Sequence, residues 1–213
     1  MEHEPGRREQ ILDAAFEEFS DKGLAGATIK SIAQRAALKS PALIYWYFPE
    51  GKQELFYAAA EAKITFLGVF KDPEPLMEAP PELALPTIAS AYLTFAADPT
   101  ARRLFRLLLA EAPRHPGLLE PVVARGPLRV LGFLSAYLER QVELGRLRPH
   151  DTRAGARAFI GMLIPQALSH VLMPQLQVDG PTDAEHMRTA IGIFLDGLKP
   201  DGREAGGDSH DSH

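Results

Sequence analysis

The chain has 213 residues, 46% of them hydrophobic and 24% charged, with a formal net charge of −5. This is the composition of a folded soluble protein with room for one large or two modest domains, and its charge argues against a generic polyanion binder, whose affinity comes from neutralising phosphates. With no cysteine there is no disulfide, thiolate metal site or cysteine nucleophile, so a cytoplasmic location is expected.

The polar N-terminus lacks the apolar stretch of a signal peptide, and no run reaches the ~18 apolar residues of a membrane span. A first helix is predicted over 7–21, with Ile11, Leu12, Ala15, Phe16 and Phe19 on one face and Gly23 as its stop. Glu17 and Glu18 fall off that face and read as solvated.

Thr28 then caps a second, two-turn helix with Ile29, Ile32, Ala33 and Ala36 in one stripe. Ser40-Pro41 reads as N-cap and first position of a third helix, because proline lacks the N–H that is orphaned there anyway. At about 100° per residue, Ile44, Tyr47 and Phe48 point inward while Ala42, Tyr45 and Trp46 point outward. Aromatics on a solvated face suggest a partner surface. Residues 22–52 hold Lys22, Lys30, Arg35, Lys39 and Lys52 against Glu50, a local +4 beside −9 for the remainder. Such an island on an acidic body orients a protein at DNA. Two short helices joined by a tight turn, the second with small residues at its start, suit a major groove. Ser40 and Pro41, which start the third helix, belong to the DNA-binding candidates, and Ala42, Tyr45 and Trp46 are the groove-facing ones. Thr28, Lys30, Lys39, Tyr47 and Lys52 are the phosphate candidates.

A fourth helix is predicted over 52–70, then a proline-rich loop or hinge over 71–81. Helices follow at 82–97, 100–112, 117–146, 151–176 and 183–198, with Pro86, Pro127 and Pro165 as kinks or local breaks. The stretch 201–213 reads as a disordered tail.

On these residues the run 11–56 resembles the N-terminal DNA-binding domain of the TetR family of transcriptional regulators. The matching parts are Gly23, Thr28, Ile32-Ala33, the aromatic end Tyr45-Trp46-Tyr47-Phe48, Lys52 and Glu54-Leu55. The turn Ala36-Ala37-Leu38-Lys39 reads one residue longer than the family's and lacks its Gly, and the loop 49–51 also reads one residue longer. The resemblance implies an all-α protein: a helix-turn-helix domain over 1–51, then a helical effector-binding and dimerisation domain over 52–200.

In such a domain the family usually encloses a pocket for a small effector. The large side chains available are Phe66, Phe70, Tyr92, Phe95, Phe105 and Leu109, followed by Phe133, Tyr137, Phe159, Met162 and Leu163, each of which core packing could equally absorb. Tyr92, Tyr137, Gln166 and His170 are the polar groups that could orient a ligand. The family's dimer interface implies the same of the last two helices here, and Met187, Ile191, Phe194, Leu195 and Leu198 form a heptad-like stripe on the last. Reading by one short helix favours a homodimer on a palindromic site.

The expected protein is a repressor of double-stranded DNA operators, released by a small, largely apolar effector, with no cofactor and no membrane partner. No GxSxG, HExxH, Walker or GxGxxG motif marks an enzyme, so no catalytic residue is assigned. The seven histidines are scattered, and 208–213 is a poor metal site, so no metal is assigned. The alternative is a helical carrier or enzyme with a vestigial DNA-binding domain.

Overall fold

The computed structural model describes residues 6–115, 117, 119–173 and 180–200, and among these it is all-helical. The helices are α1 (Arg7–Gly26), α2 (Ile29–Arg35), α3 (Ala42–Tyr47), α4 (Lys52–Ala62), α5 (Glu74–Glu78) and α6 (Pro81–Ala97), then α7 (Pro99–Glu111), α8 (Leu119–Arg125), α9 (Pro127–Glu143), α10 (Thr152–Val171) and α11 (Asp183–Leu198). A 3-10 turn, Thr65–Phe70, lies between α4 and α5. No described helix is long and apolar enough to cross a membrane. The predicted tail 201–213 lies outside the described residues.

Local chemistry sets the helix ends. Thr28 accepts from the Ser31 N–H at 3.0 Å while Ser31 Oγ accepts from the Thr28 N–H, so orphan donors at the start of α2 are satisfied reciprocally. Thr182 and Glu185 do the same for α11, and Asp151 and Asp98 cap α10 and α7. Within α1, Gly23 leaves helical geometry at φ 70°, a kink where the sequence places a stop.

The helix predicted over 151–176 ends at Val171, with 174–176 outside the described residues, and three further segments differ from the sequence reading. The predicted helix 52–70 breaks at Ile64 (φ −88°, ψ 72°), where β-branched Ile64 and Thr65 adjoin and the chain tightens into the 3-10 turn. The loop 71–81 contains α5, entered through Pro73. Tyr137, Gln141 and Arg146 donate to the carbonyls of Ala79, Met77 and Glu78, satisfying acceptors at the end of that short helix. The predicted helix 117–146 is divided at Gly126, and Pro127 opens α9 where its missing N–H costs nothing. Pro86 and Pro165 lie inside α6 and α10.

Two large apolar cores result, with a smaller cluster of Leu93, Ala96, Ala167 and Val171 between α6 and α10. The first joins α1, α2, α3 and α4 to Leu104, Leu107 and Leu108 of α7; the second joins α6, α9, α10 and α11. Phe66 packs against both. Fully buried rings such as Phe16, Phe19 and Phe56 each contribute about 1.5–3 kcal/mol by leaving water. In the first core, Phe19 and Phe56 meet edge to face at 5.2 Å, which fixes α4 against α1.

Candidate nucleic-acid interface and internal cavity

The turn between α2 and α3 closes with the Leu38 N–H donating to Ala33 O at 2.9 Å and the Ala37 N–H to Gln34 O at 3.1 Å. This double closure needs a left-handed residue after the helix. Ala37 supplies it at φ 50°, where glycine is favoured. Ser40 Oγ accepts from the Ala42 N–H at 3.2 Å, so Ser40 and Pro41 start α3 as the sequence suggests. On α3, Ile44 and Phe48 are buried while Tyr45 and Trp46 stand 51% and 50% exposed. Tyr47 is half-buried, its ring 4.8 Å from that of Trp46. Gly51, at φ 78°, lets the Tyr45 ring approach to where a Cβ would sit 3.3 Å from it.

Around α3 the basic residues divide into two kinds. Lys30 and Lys39 are exposed and form no ion pair among the described residues. Arg35 is committed to Glu18 at 2.9 Å and Asp21 at 2.7 Å, and Lys22 to Glu18. The pairing raises the Arg35 pKa, with the Asp21 hydrogen bond as the largest cause. Lys52 donates to Ala27 O at 3.0 Å, a structural tie that engages a side chain predicted to meet phosphate. Thr28, Ser40, Pro41 and Ala42 are exposed around the same face. Glu18, read from sequence as solvated, is only 2% exposed and bolts α1 to α2. Its pKa is lowered, first by the Lys22 hydrogen bond.

Behind this unit lies a cavity of about 370 Å³, walled by Ile64 and Phe66, by Tyr92 and Phe95 of α6, by Leu104, Phe105, Leu108 and Leu109 of α7, and by residues of α8, α9 and α10. Of the predicted pocket residues, Phe66, Tyr92, Phe95, Phe105 and Leu109 line it. Phe70, Tyr137, Phe159 and Leu163 are instead buried in the second core, with Phe133 and Met162 packed against it. Gln166 and His170 both bind Asp183, at 2.6 and 2.8 Å, and so pin α10 to α11. The reading from sequence missed Ile64, Leu104, Leu108, Val122, Val123, Pro127, Val130, Leu131, Ile160 and Ile164. Leu104 and Leu108, spaced i and i+4 beside Phe105 and Leu109, were the one available signal.

The stripe assigned to dimerisation is turned inward. Ile191, Phe194 and Leu198 are buried in the second core, and Met187 and Leu195 pack against it. The outward face of α11 carries Ile193, 58% exposed, and that of α10 carries Ala154, Ala158, Gly161 and Pro165. Among the described residues no cluster of His, Cys, Asp or Glu could hold a metal ion.

Comparison with known proteins matches residues 11–59 to the family described as bacterial regulatory proteins of the tetR family. Residues 83–197 match the C-terminal domain of AefR-like transcriptional repressors. The regulator SrpR of Pseudomonas putida is 26% identical over 157 residues, 73% of this chain and 71% of that protein. The class C tetracycline repressor of Escherichia coli is 39% identical over 59 residues, 28% of this chain and 26% of that protein. The structure of SmeT from Stenotrophomonas maltophilia, in complex with triclosan, superposes with a TM-score of 0.69 at 23% identity, covering 92% of this chain and 93% of that one. With both halves matched, one by a model that spans more than half of its length, the chain belongs to the TetR family of bacterial transcriptional regulators.

Proposed function

We propose that the chain is a cytoplasmic homodimeric repressor that reads a palindromic operator with α3 and releases it when a small, largely apolar effector fills the cavity. The observation that carries this reading is α3 itself, buried on one face through Ile44 and Phe48 and exposing Tyr45 and Trp46 on the other. A solvated surface has no use for that pair, whereas a groove offers base edges, thymine methyls and phosphate oxygens. Lys30 and Lys39 add exposed charges that form no ion pair among the described residues. The rival reading, a carrier or enzyme with a vestigial reading unit, gives no reason to keep them.

In this proposal residues 1–51 read DNA, 52–200 sense and dimerise, and α4 joins the two parts. Small exposed side chains at Ala154, Ala158 and Gly161 of α10, together with exposed Ile193 of α11, leave room for the helices of two copies to pack closely. The effector must bind the form that cannot hold DNA more tightly, and a coupling of about 1–3 kcal/mol gives a five- to 150-fold change in operator affinity.

A gel-shift titration with DNA flanking the chain's own gene tests the reading. The wild type should form a salt-sensitive specific complex that Tyr45→Ala with Lys39→Ala abolishes. No such complex, or one unaltered by the two substitutions, sinks the proposal.

A further inference from the structure

The cavity's chemistry is one-sided. Every described residue that lines it is aliphatic, aromatic or proline, and the only polar side-chain group they bring is the Tyr92 hydroxyl. That hydroxyl has no hydrogen-bond partner among the described residues. Its ring is held edge-on by Phe66 at 5.6 Å, and Phe66 in turn lies 5.5 Å from Phe95. Burial raises the Tyr92 pKa, so the group stays a neutral O–H able to donate or accept. At the mouth, Phe105, Leu109, Val123 and Ile164 are exposed, so the rim is apolar too.

A charged ligand entering here loses its hydration and meets no counter-ion on the wall, which disfavours either sign strongly. A flat aromatic ligand meets ring faces and edges. A single hydroxyl or carbonyl on it can satisfy the phenol, and a second polar group finds no side-chain partner. We infer that the cavity selects neutral aromatic molecules bearing one hydroxyl or carbonyl group, hydrogen-bonded to Tyr92, and rejects ions of either sign. This rests on the effector reading above and sharpens it to a chemical class and a specificity-determining residue.

Four probes with one ring system separate the contributions: naphthalene, naphthol, naphthoate and naphthylmethylammonium, titrated at neutral pH against the full-length protein by their ring fluorescence. Naphthol is expected to bind most tightly and naphthalene about three- to tenfold more weakly, the range of one net hydrogen bond. Both ions should bind at least about a hundredfold more weakly than naphthol. Tyr92→Phe should bring naphthol to the naphthalene value and leave naphthalene unchanged. An ion binding within tenfold of naphthol, a gap that survives Tyr92→Phe, or no binding of either neutral probe up to its solubility overturns the inference. Operator release is read separately by gel shift. Naphthol that binds as described but never releases DNA defeats the effector reading and leaves the cavity's selectivity standing.

Discussion

Arg103 of α7 donates from Nη1 and Nη2 to Oε1 and Oε2 of Glu17 on α1, both at 2.8 Å. The same helix presents Leu104 and Leu108 to the cavity, so one turn of α7 touches both the ligand space and the reading unit. Both side chains are more than a third exposed, and solvent screening limits the pair to about 0.5–1 kcal/mol of stability. Arg103→Ala is therefore expected to melt close to the wild type and bind operator normally, but to need more effector for release. Effector titrations in a gel shift check this. An unchanged release curve removes α7 from the route.

The exposed lysines and the paired arginine should behave differently. Lys39→Ala is expected to lower operator affinity for all sequences alike and reduce the slope of log affinity against log salt by about one, with an unaltered melting temperature. Arg35→Ala breaks contacts to Glu18 and Asp21 and leaves Glu18 buried with one cation fewer, so its melting temperature should fall by several degrees. Fluorescence anisotropy across a salt series, beside thermal melts, separates the two outcomes.

At Ala37 an L residue occupies the left-handed region. Relief of that strain is worth about 1–2 kcal/mol and the added unfolded-state entropy of glycine takes back about 0.4–1 kcal/mol. Ala37→Gly should thus stabilise by about 0.5 kcal/mol, while Ala37→Val should destabilise by more than 1 kcal/mol. Urea denaturation of both variants decides it, and a destabilised glycine variant contradicts the argument.

Glu17 and Glu18 are both held below the usual carboxylate pKa, Glu17 first by the Arg103 hydrogen bond and Glu18 first by that of Lys22. A lowered folded pKa gives stabilisation that is complete at neutral pH and lost as pH falls through the folded value. The melting temperature should be level down to about pH 5 and fall below about pH 4, with a shallower fall in Glu18→Gln. A Glu18→Gln protein with an acid slope equal to the wild type's assigns the effect elsewhere.

Ile193→Asp places a charge on the outward face of α11 without touching the core. If that face joins two copies, the variant should elute as a monomer in size-exclusion chromatography and lose operator affinity, keeping its monomer fold. An unchanged elution volume moves the interface to another surface.

The amphipathic period made α1 and the two faces of α3 legible in the sequence, because Leu12, Phe16 and Phe19, and likewise Ile44 and Phe48, repeat at i+3 or i+4 and nothing else competes for them. The cavity was legible only in part. Phe66 and Phe70 lie one turn apart with the same chemistry, yet one lines the cavity and the other fills the core. Tyr92 and Tyr137 divide in the same way, the second donating to Ala79 O. The roles of Glu17 and Glu18 depend on partners supplied by folding, in one case 86 residues away. The inward turn of Ile191 and Phe194 shows the remaining ambiguity: an apolar stripe tells that something covers it, and here the covering is the chain's own second core.

The interruption after α4 places two adjacent residues in different company. Lys63 reaches Asp13 of α1 at 2.6 Å, and Ile64 stands in the cavity wall. A single planar peptide unit therefore separates the cavity wall from a side chain ion-paired to α1, so a displacement of Ile64 is passed directly to the residue that holds Asp13. A continuous rod would have spread the same push along several turns; this chain has a knuckle.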